Sequence, residues 1–460
     1  MAFFLTVLFL ALPAQSSVQS LDQKFQAAVA QYEAGHYPEA ATQLEALLPQ
    51  APESFELHEL LGLVYSAQSQ DAKANPHLQK ASRLKPTDAA AHTNLAASYM
   101  RLGKPTQAES EFKKAADLEP TSFDANHNLG EAYIRSNKIP EAIPYLLRAQ
   151  QSNPTNYDNG YDLALAYIVT NHLQDARTLI ATLLQQKPSA ELHNLLGQVE
   201  EKDNQFVAAA NEYETAAHLD PSESNLFDWG SELLVHRTLE PAIEVFQQAR
   251  DRYPTSTRLL IGLGMALYSR GNYDDAVKAL LKAADLAPND PRCYLFLSRA
   301  YDSSPNQAEE VIDHFRRFAK LQPTNARAQY YLAMSLWKGK RAQDPSVDLS
   351  QVEGLLKKST NLDPKLADAH LQLGNLYFDR ASYPSAIPQY NQALALNADL
   401  ADAHYRLGQA YVRTGNKTEA QQHLEIYQRL RAQHLNDLDR QRAEIRQFVY
   451  SAKDTPTGKQ

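Results

Sequence analysis

The stretch Ala89–Pro120, AAAHTNLAASYMRLGKPTQAESEFKKAADLEP, decides the fold. Its first half sets His92, Leu95, Ala96 and Tyr99 at offsets of three and four, one face of an α-helix. Gly103 ends that helix and Pro105 follows in a short turn. Ala108, Phe112 and Ala115 then resume the helical spacing until Pro120 stops it. The segment predicts two short helices face to face. Ala96 and Ala108 let the backbones approach, while Tyr99 and Phe112 fill the remaining volume.

Most of the chain is a copy of this segment. Closing prolines fall at Pro52, Pro86, Pro120, Pro154, Pro188, Pro221, Pro254, Pro288, Pro323 and Pro364, and Ala398 takes the next place. Twelve residues before each stop stands a small residue: Ala40, Ala74, Ala108, Ala142, Ala176, Ala209, Ala242, Ala276, Val311, Val352 or Ala386. Eight before it stands a large one: Leu44, Leu78, Phe112, Leu146, Ile180, Tyr213, Phe246, Leu280, Phe315, Leu356 or Tyr390.

A period near 34 residues with helix, turn, helix and terminal proline resembles the tetratricopeptide repeat. The Leu-Gly pair followed by Tyr carries the likeness, as in Leu129, Gly130 and Tyr133 or Leu373, Gly374 and Tyr377. A twelfth copy, Ala401–Leu430, has Leu407, Gly408, Tyr411, Gly415, Ala420 and Leu424 without a proline. The seventh departs from the pattern, with Trp229 before Gly230. The resemblance implies an all-α, right-handed α-solenoid (superhelix) of about twelve tetratricopeptide helical hairpins, residues 21–430. Leu435, Leu438, Ile445 and Phe448 predict a capping helix over 431–450, and 451–460 reads as a disordered tail. Lys338–Ser350, KGKRAQDPSVDLS, reads as a solvated loop inserted in the tenth copy.

At the other end, AFFLTVLFLAL precedes Pro13, Ala14, Gln15 and Ser16. This run is shorter than the about 20 residues that span a bilayer, and has the length of a signal-peptide core. Residues 1–16 are expected to be a signal peptide and the protein secreted or periplasmic. An uncleaved segment would make it membrane-anchored instead.

The formal net charge of −9 argues against non-specific nucleic-acid binding. Cys293 is the only cysteine, so no intramolecular disulfide forms. Five of the 14 histidines, His58, His92, His193, His370 and His404, hold equivalent places. Residues one repeat apart cannot share an ion needing ligands at about 2 Å, so these are expected to fill a bulky packing slot. Gly262 to Gly264 fall inside a first helix and read as packing positions, not a phosphate loop. HExxH, paired CxxC and GxSxG do not occur. The expectation is no catalysis, no cofactor and no metal.

What remains is the second face of each first helix, which in tetratricopeptide arrays lines a concave groove. Arg258, Arg292 and Arg327 occupy one place on it in consecutive copies. Tyr268, Tyr330, Met334, Trp337, Phe378 and Tyr405 share that face, with Ile261, Met265, Leu295 and Leu371. Arginines beside aromatic and Met side chains predict a surface for an acidic, partly apolar protein or peptide segment. Earlier in the chain, Asn94 and Asn128, continued by Asp162, form a short ladder of the type that holds a peptide backbone in some relatives; Leu60 and Leu195 interrupt it. The sequence thus reads as an exported, non-enzymatic interaction scaffold. Two alternatives are a membrane-anchored scaffold for envelope assembly or polysaccharide export, and a non-catalytic subunit of a repeat-bearing glycosyltransferase.

Overall fold

First helices are started by side chains. Ser54, Asp88, Ser122, Asn156, Ser189, Ser222 and Ser256 each accept a hydrogen bond from the backbone N–H three residues on. Each satisfies a donor that the first helical turn would otherwise leave orphaned. Between the two helices of a copy, one residue reverses the chain with positive φ, such as Gly103 at 69°. The same turn position holds Gly35, Asn137 and Asn171, residue types for which the left-handed region costs least.

The computed structural model describes residues 15–304, 306–343 and 349–432, with isolated positions 443, 446 and 447. The chain divides into two compact units at Asn204 and Gln205. The first contains α1 (Gln15–Glu33), α2 (Tyr37–Leu47), α3 (Phe55–Ala67), α4 (Asp71–Leu84), α5 (Ala89–Arg101), α6 (Pro105–Leu118), α7 (Phe123–Arg135), α8 (Ile139–Ser152), α9 (Tyr157–Val169), α10 (Leu173–Gln186) and α11 (Ala190–Lys202). The second contains α12 (Phe206–Leu219), α13 (Glu223–Val235), α14 (Leu239–Arg252), α15 (Thr257–Arg270), α16 (Tyr273–Leu286), α17 (Pro291–Ser303), α18 (Ala308–Leu321), α19 (Ala326–Gln343), α20 (Ser350–Leu362), α21 (Ala367–Asp379), α22 (Tyr383–Leu396), α23 (Ala401–Thr414) and α24 (Lys417–Ala432). Among the described residues there is no strand, and each of the twelve copies supplies two helices.

Within each unit, consecutive helices pack against one another. The repeated small position is fully buried in all eleven copies where it was read, from Ala40 to Ala386, and the large position beside it is buried in every one. Burying each large side chain contributes about 1.5–3 kcal/mol before its entropy cost. The Leu-Gly pair has a steric origin. A Cβ placed on Gly130 would lie 2.5 Å from Leu146 Cδ2, and one on Gly374 would lie 2.8 Å from Tyr390 Cδ1. Glycine thus makes room for the large side chain of the second helix. Gly262 has the same use across copies, since its Cβ would lie 2.6 Å from Phe246 Cε1. Phe246 therefore sits between Gly262 and Gly230 of its own copy.

The tenth copy differs from its sequence reading. Helix α19 runs through Gln343, so the first residues of the expected loop, KGKRAQ, extend a helix. Lys, Arg, Ala and Gln are strong helix formers. Residues 344–348 lie outside the described residues, as do most of the expected capping helix, the tail and the signal segment before Gln15.

Candidate functional site

The equivalent histidines do more than fill space. Nε2 of His58, His92 and His370 lies 3.0, 3.1 and 3.2 Å from the carbonyl oxygens of Pro52, Pro86 and Pro364, and His404 Nε2 lies 3.0 Å from that of Ala398. Each ring binds the carbonyl of the stop that precedes its helix. Other copies make this bond with a different donor: Asn126 to Pro120 at 3.0 Å, Tyr294 to Pro288 at 3.0 Å and Gln329 to Pro323 at 3.4 Å. The slot is thus defined by hydrogen bonding to a carbonyl at a helix end. Through Nδ1 the same histidines meet a residue 19 positions later on their own second helix: His77, Glu111, Gln389 and His423. Among the described residues no group of three or more His, Cys, Asp or Glu is placed to hold a metal.

The arginine and aromatic positions of the second unit do not form one open surface. Arg258 donates from Nε to Glu223 Oε1 at 2.6 Å, stacks over Phe227 at 5.0 Å and is only 13% exposed. Arg292 is held by Asp290, Nη2 to Oδ2 at 2.8 Å, which raises the guanidinium further above its usual range. Arg327 is exposed, on the same helix as half-buried Tyr330. Trp337, Ile261 and Met265 are core residues, at 4%, 0% and 1% exposure. Tyr268, Tyr330 and Met334 are half-buried against the same core. Successive first helices α13, α15, α17 and α19 pack on one another, which encloses these side chains. Phe378 is half-buried, with Arg406 5.1 Å above its ring, and Tyr405 is exposed but 4.9 Å from the Tyr427 ring. The expected basic and aromatic stripe is therefore largely committed to internal pairs and packing.

A cavity opens on the first unit. On α3, α5 and α1, the side chains of Leu63, Ser66, Ala67, Asn94, Ala97, Arg101 and Tyr32 line an open cavity of about 280 Å³. Asn94 Nδ2 donates to Glu59 Oε1 at 2.5 Å, whereas Glu59 Oε2 and Ser66 Oγ are buried atoms with no hydrogen-bond partner. Burial pushes the Glu59 carboxyl above its ordinary value; the Asn94 bond works against this, Asp88 with it, and Lys85 against it. Arg101 at the far end is neutralised by Asp71 at 2.7 Å. Further along the unit, Asp162 is raised by burial and by the nearby carboxylates of Glu131 and Asp158, with His127 opposing. Asn128 is half-buried.

Comparison with known proteins agrees with this architecture. Profiles described as "Tetratricopeptide repeat" match residues 25–89, 93–157 and 227–291, residues 136–199 and residues 401–434, and one described as "TPR repeat" matches 374–415. The chain belongs to the tetratricopeptide repeat family. Among curated proteins the array is similar to Protein CTR9 homolog of Arabidopsis thaliana, 24% identical over 192 residues, covering 40% of this chain and 17% of that protein. It is also similar to Protein O-mannosyl-transferase TMTC1 of Homo sapiens, 23% identical over 160 residues, covering 35% and 18%. The tetratricopeptide array thus spans less than a fifth of the length of these relatives. Among solved structures it is similar to the C-terminal part of a TPR repeat-containing protein from Cytophaga hutchinsonii, with TM-score 0.44 and 18% identity, over 52% of this chain and 96% of that one.

Sequence reasoning about the tetratricopeptide copies missed Glu59, Ser66 and the partner of Arg258. One signal could have found two of them. Asn94 with Glu59, and Arg258 with Glu223, are both 35 residues apart, one copy plus one position in the first pair and plus two in the second. Reading each first helix against the preceding one at that offset exposes which charges are already paired.

Proposed function

We propose that this tetratricopeptide array holds an extended segment of a partner protein along the first-helix face of its N-terminal unit. The single observation behind this reading is local. The open cavity around Leu63 and Asn94 has on its wall Ser66, whose Oγ is a buried atom without a partner, while Arg258, Arg292 and Trp337, the residues expected to form the binding stripe, are paired or buried. Unsatisfied buried polar atoms are rare and costly, and a bound polypeptide backbone or side chain would satisfy them. The segment favoured here is therefore not the acidic one expected from the arginines. Export, proposed from residues 1–16, rests on their sequence alone, and the N-terminus of the mature protein tests it.

The direct experiment is affinity purification of the full chain from its native host beside the Leu63→Arg variant. Leu63 is half-buried on the cavity wall, so arginine there fills the cavity with limited effect on the core. A partner recovered by the wild type and lost with Leu63→Arg, at an unchanged melting temperature, supports the reading. A partner that binds both proteins equally places binding elsewhere. A second reading, a repeat subunit docking on a glycosyltransferase, is favoured only by the similarity to TMTC1 and predicts that a catalytic chain co-purifies.

A further inference from the structure

A cavity of about 460 Å³ in the second unit lies between the second helices α14 and α16, with α15 beneath it. Its place is that of a side chain which most copies possess and the eighth lacks. Tyr65, Tyr99, Tyr133 and Tyr411 hold the same position on their first helices, and the eighth copy has Leu267 there.

The surroundings of those tyrosines identify the cavity. Gln79, on the second helix of the preceding copy and 20 residues back, donates from Nε2 to the Tyr99 hydroxyl at 2.9 Å; the residue 20 before Leu267 is Gln247. Lys138, five residues on, lies 5.8 Å above the Tyr133 ring, and Lys73, eight on, 5.3 Å above that of Tyr65; their equivalents are Asn272 and Asp275. Tyr65 and Tyr411 stack on His77 and His423, twelve on, with centroids 5.9 and 5.8 Å apart; the equivalent is Ala279. Gln247, Asn272, Asp275 and Ala279 all line the cavity, as does Leu267. The space is therefore the one that a tyrosine ring fills elsewhere in the array. The seventh copy also replaces the ring, with Leu233, but sets Val245 where the eighth has Ala279.

We propose that this cavity receives a tyrosine of a partner protein, its ring standing where other copies place their own. Leu260, Leu267 and Ala279 give the ring apolar walls, and Gln247, exposed at the mouth, repeats the donor that Gln79 offers to Tyr99. The mouth also selects the neighbours of that tyrosine. Arg250, Lys278 and Lys282 stand there against one carboxylate of the lining, Asp275. Lys278 pairs with Asp275 at 2.9 Å and Arg250 with Asp251 at 2.7 Å, neighbours on one helix that exchange partners at little cost. Lys282 is exposed and, among the described residues, in no ion pair. An acidic residue beside the tyrosine is thus favoured over a basic one. The site lies wholly in the second unit and does not depend on the groove of the first.

The test uses the full chain and heptapeptides with a central Tyr, Phe, Leu or Ala between Glu residues, and one with Tyr between Lys residues, with binding read by isothermal titration calorimetry. The wild type is expected to bind the Tyr peptide at least about tenfold more tightly than the Ala peptide, with Phe between them, and to prefer Glu flanks to Lys flanks. Leu267→Tyr supplies the ring from within. It is expected to weaken the Tyr peptide at least about tenfold while its melting temperature stays the same or rises. Ala279→Gln, which copies Gln389, narrows the slot from the opposite wall and should weaken the same peptide; if Leu267→Tyr fails to fold, this variant decides. Equal affinity for Glu and Lys flanks overturns the acidic preference and leaves the ring site. If neither variant weakens the Tyr peptide, if Tyr and Ala peptides bind alike, or if no peptide binds the wild type, the tyrosine site is overturned.

Discussion

Gly264 of α15 lies directly beneath Leu280 of α16, so that a Cβ on the glycine would be 2.5 Å from Leu280 Cγ. Gly264→Ala is expected to overpack this contact and destabilise the eighth copy by about 1–3 kcal/mol. Gly354→Ala makes the control, because nothing lies within 4 Å of the added methyl on α20. There the gain in helix propensity should stabilise by about 0.5–1 kcal/mol. Hydrogen exchange followed copy by copy would register the two effects in Thr257–Leu286 and Ser350–Leu362. Equal protection in both variants would contradict the steric account.

Arg258 and Trp337 yield a second expectation, opposite to the one that an exposed binding surface would give. Arg258→Glu sets a carboxylate beside Glu223 in a largely buried place and removes the stack on Phe227. A loss of about 1–3 kcal/mol is expected. Trp337→Ala empties a core position and should cost about 3–5 kcal/mol. Thermal melts decide the matter, since surface contacts would leave both variants melting like the parent.

At His92 the prediction concerns hydrogen bonding rather than size. His92→Leu preserves bulk but leaves the Pro86 carbonyl without its donor and removes one partner of Glu111, which is expected to cost about 1–3 kcal/mol. His92→Asn restores the donor that copy four uses at Asn126, and Lys114 still pairs with Glu111 at 2.8 Å. Denaturant titration should rank the variants wild type, Asn, then Leu. If Leu proves as stable as Asn, the slot is about volume after all.

Paired histidines make stability depend on pH. Burial, then His58, hold His77 below its ordinary value, with Glu45 opposing. Burial lowers His404, with the Ala398 carbonyl opposing, Arg429 adding and Asp399 opposing; burial and His404 lower His423, with Glu419 opposing. An imidazole depressed in the folded state binds fewer protons there than when unfolded, so its contribution is complete above the unfolded value of about 6.5 and is lost as pH falls toward the folded one. Melting temperature should therefore fall between about pH 7 and about pH 5. The fall should be smaller in the double variant His77→Gln, His423→Gln, which copies the His370 and Gln389 pair. An identical pH dependence in both proteins would remove the pairs as its source.

The repeat register was legible because the same contact recurs at a fixed period. Ala276 against its neighbours, Leu280 over Gly264 and the turn at Gly271 all follow from one copy read alone. The binding face was less legible for the converse reason. Whether Ile261 and Met265 line a groove or a core depends on how close α13, α15 and α17 stand, and no single copy encodes that spacing. Asn94 was found because amides at one helical position are a local pattern. Glu59 was missed because its importance comes from the partner it lacks.

Phe246 fits between Gly230 and Gly262, one glycine in its own copy and one in the next. Loss of the eighth copy by unequal recombination would bring the ninth beside the seventh and place Phe296, eight residues after Pro288, where Gly262 now stands eight after Pro254. Two phenylalanine rings would then compete for the space of one. Removing the eighth copy alone should therefore destabilise the seventh, whereas removing the two together leaves no such collision.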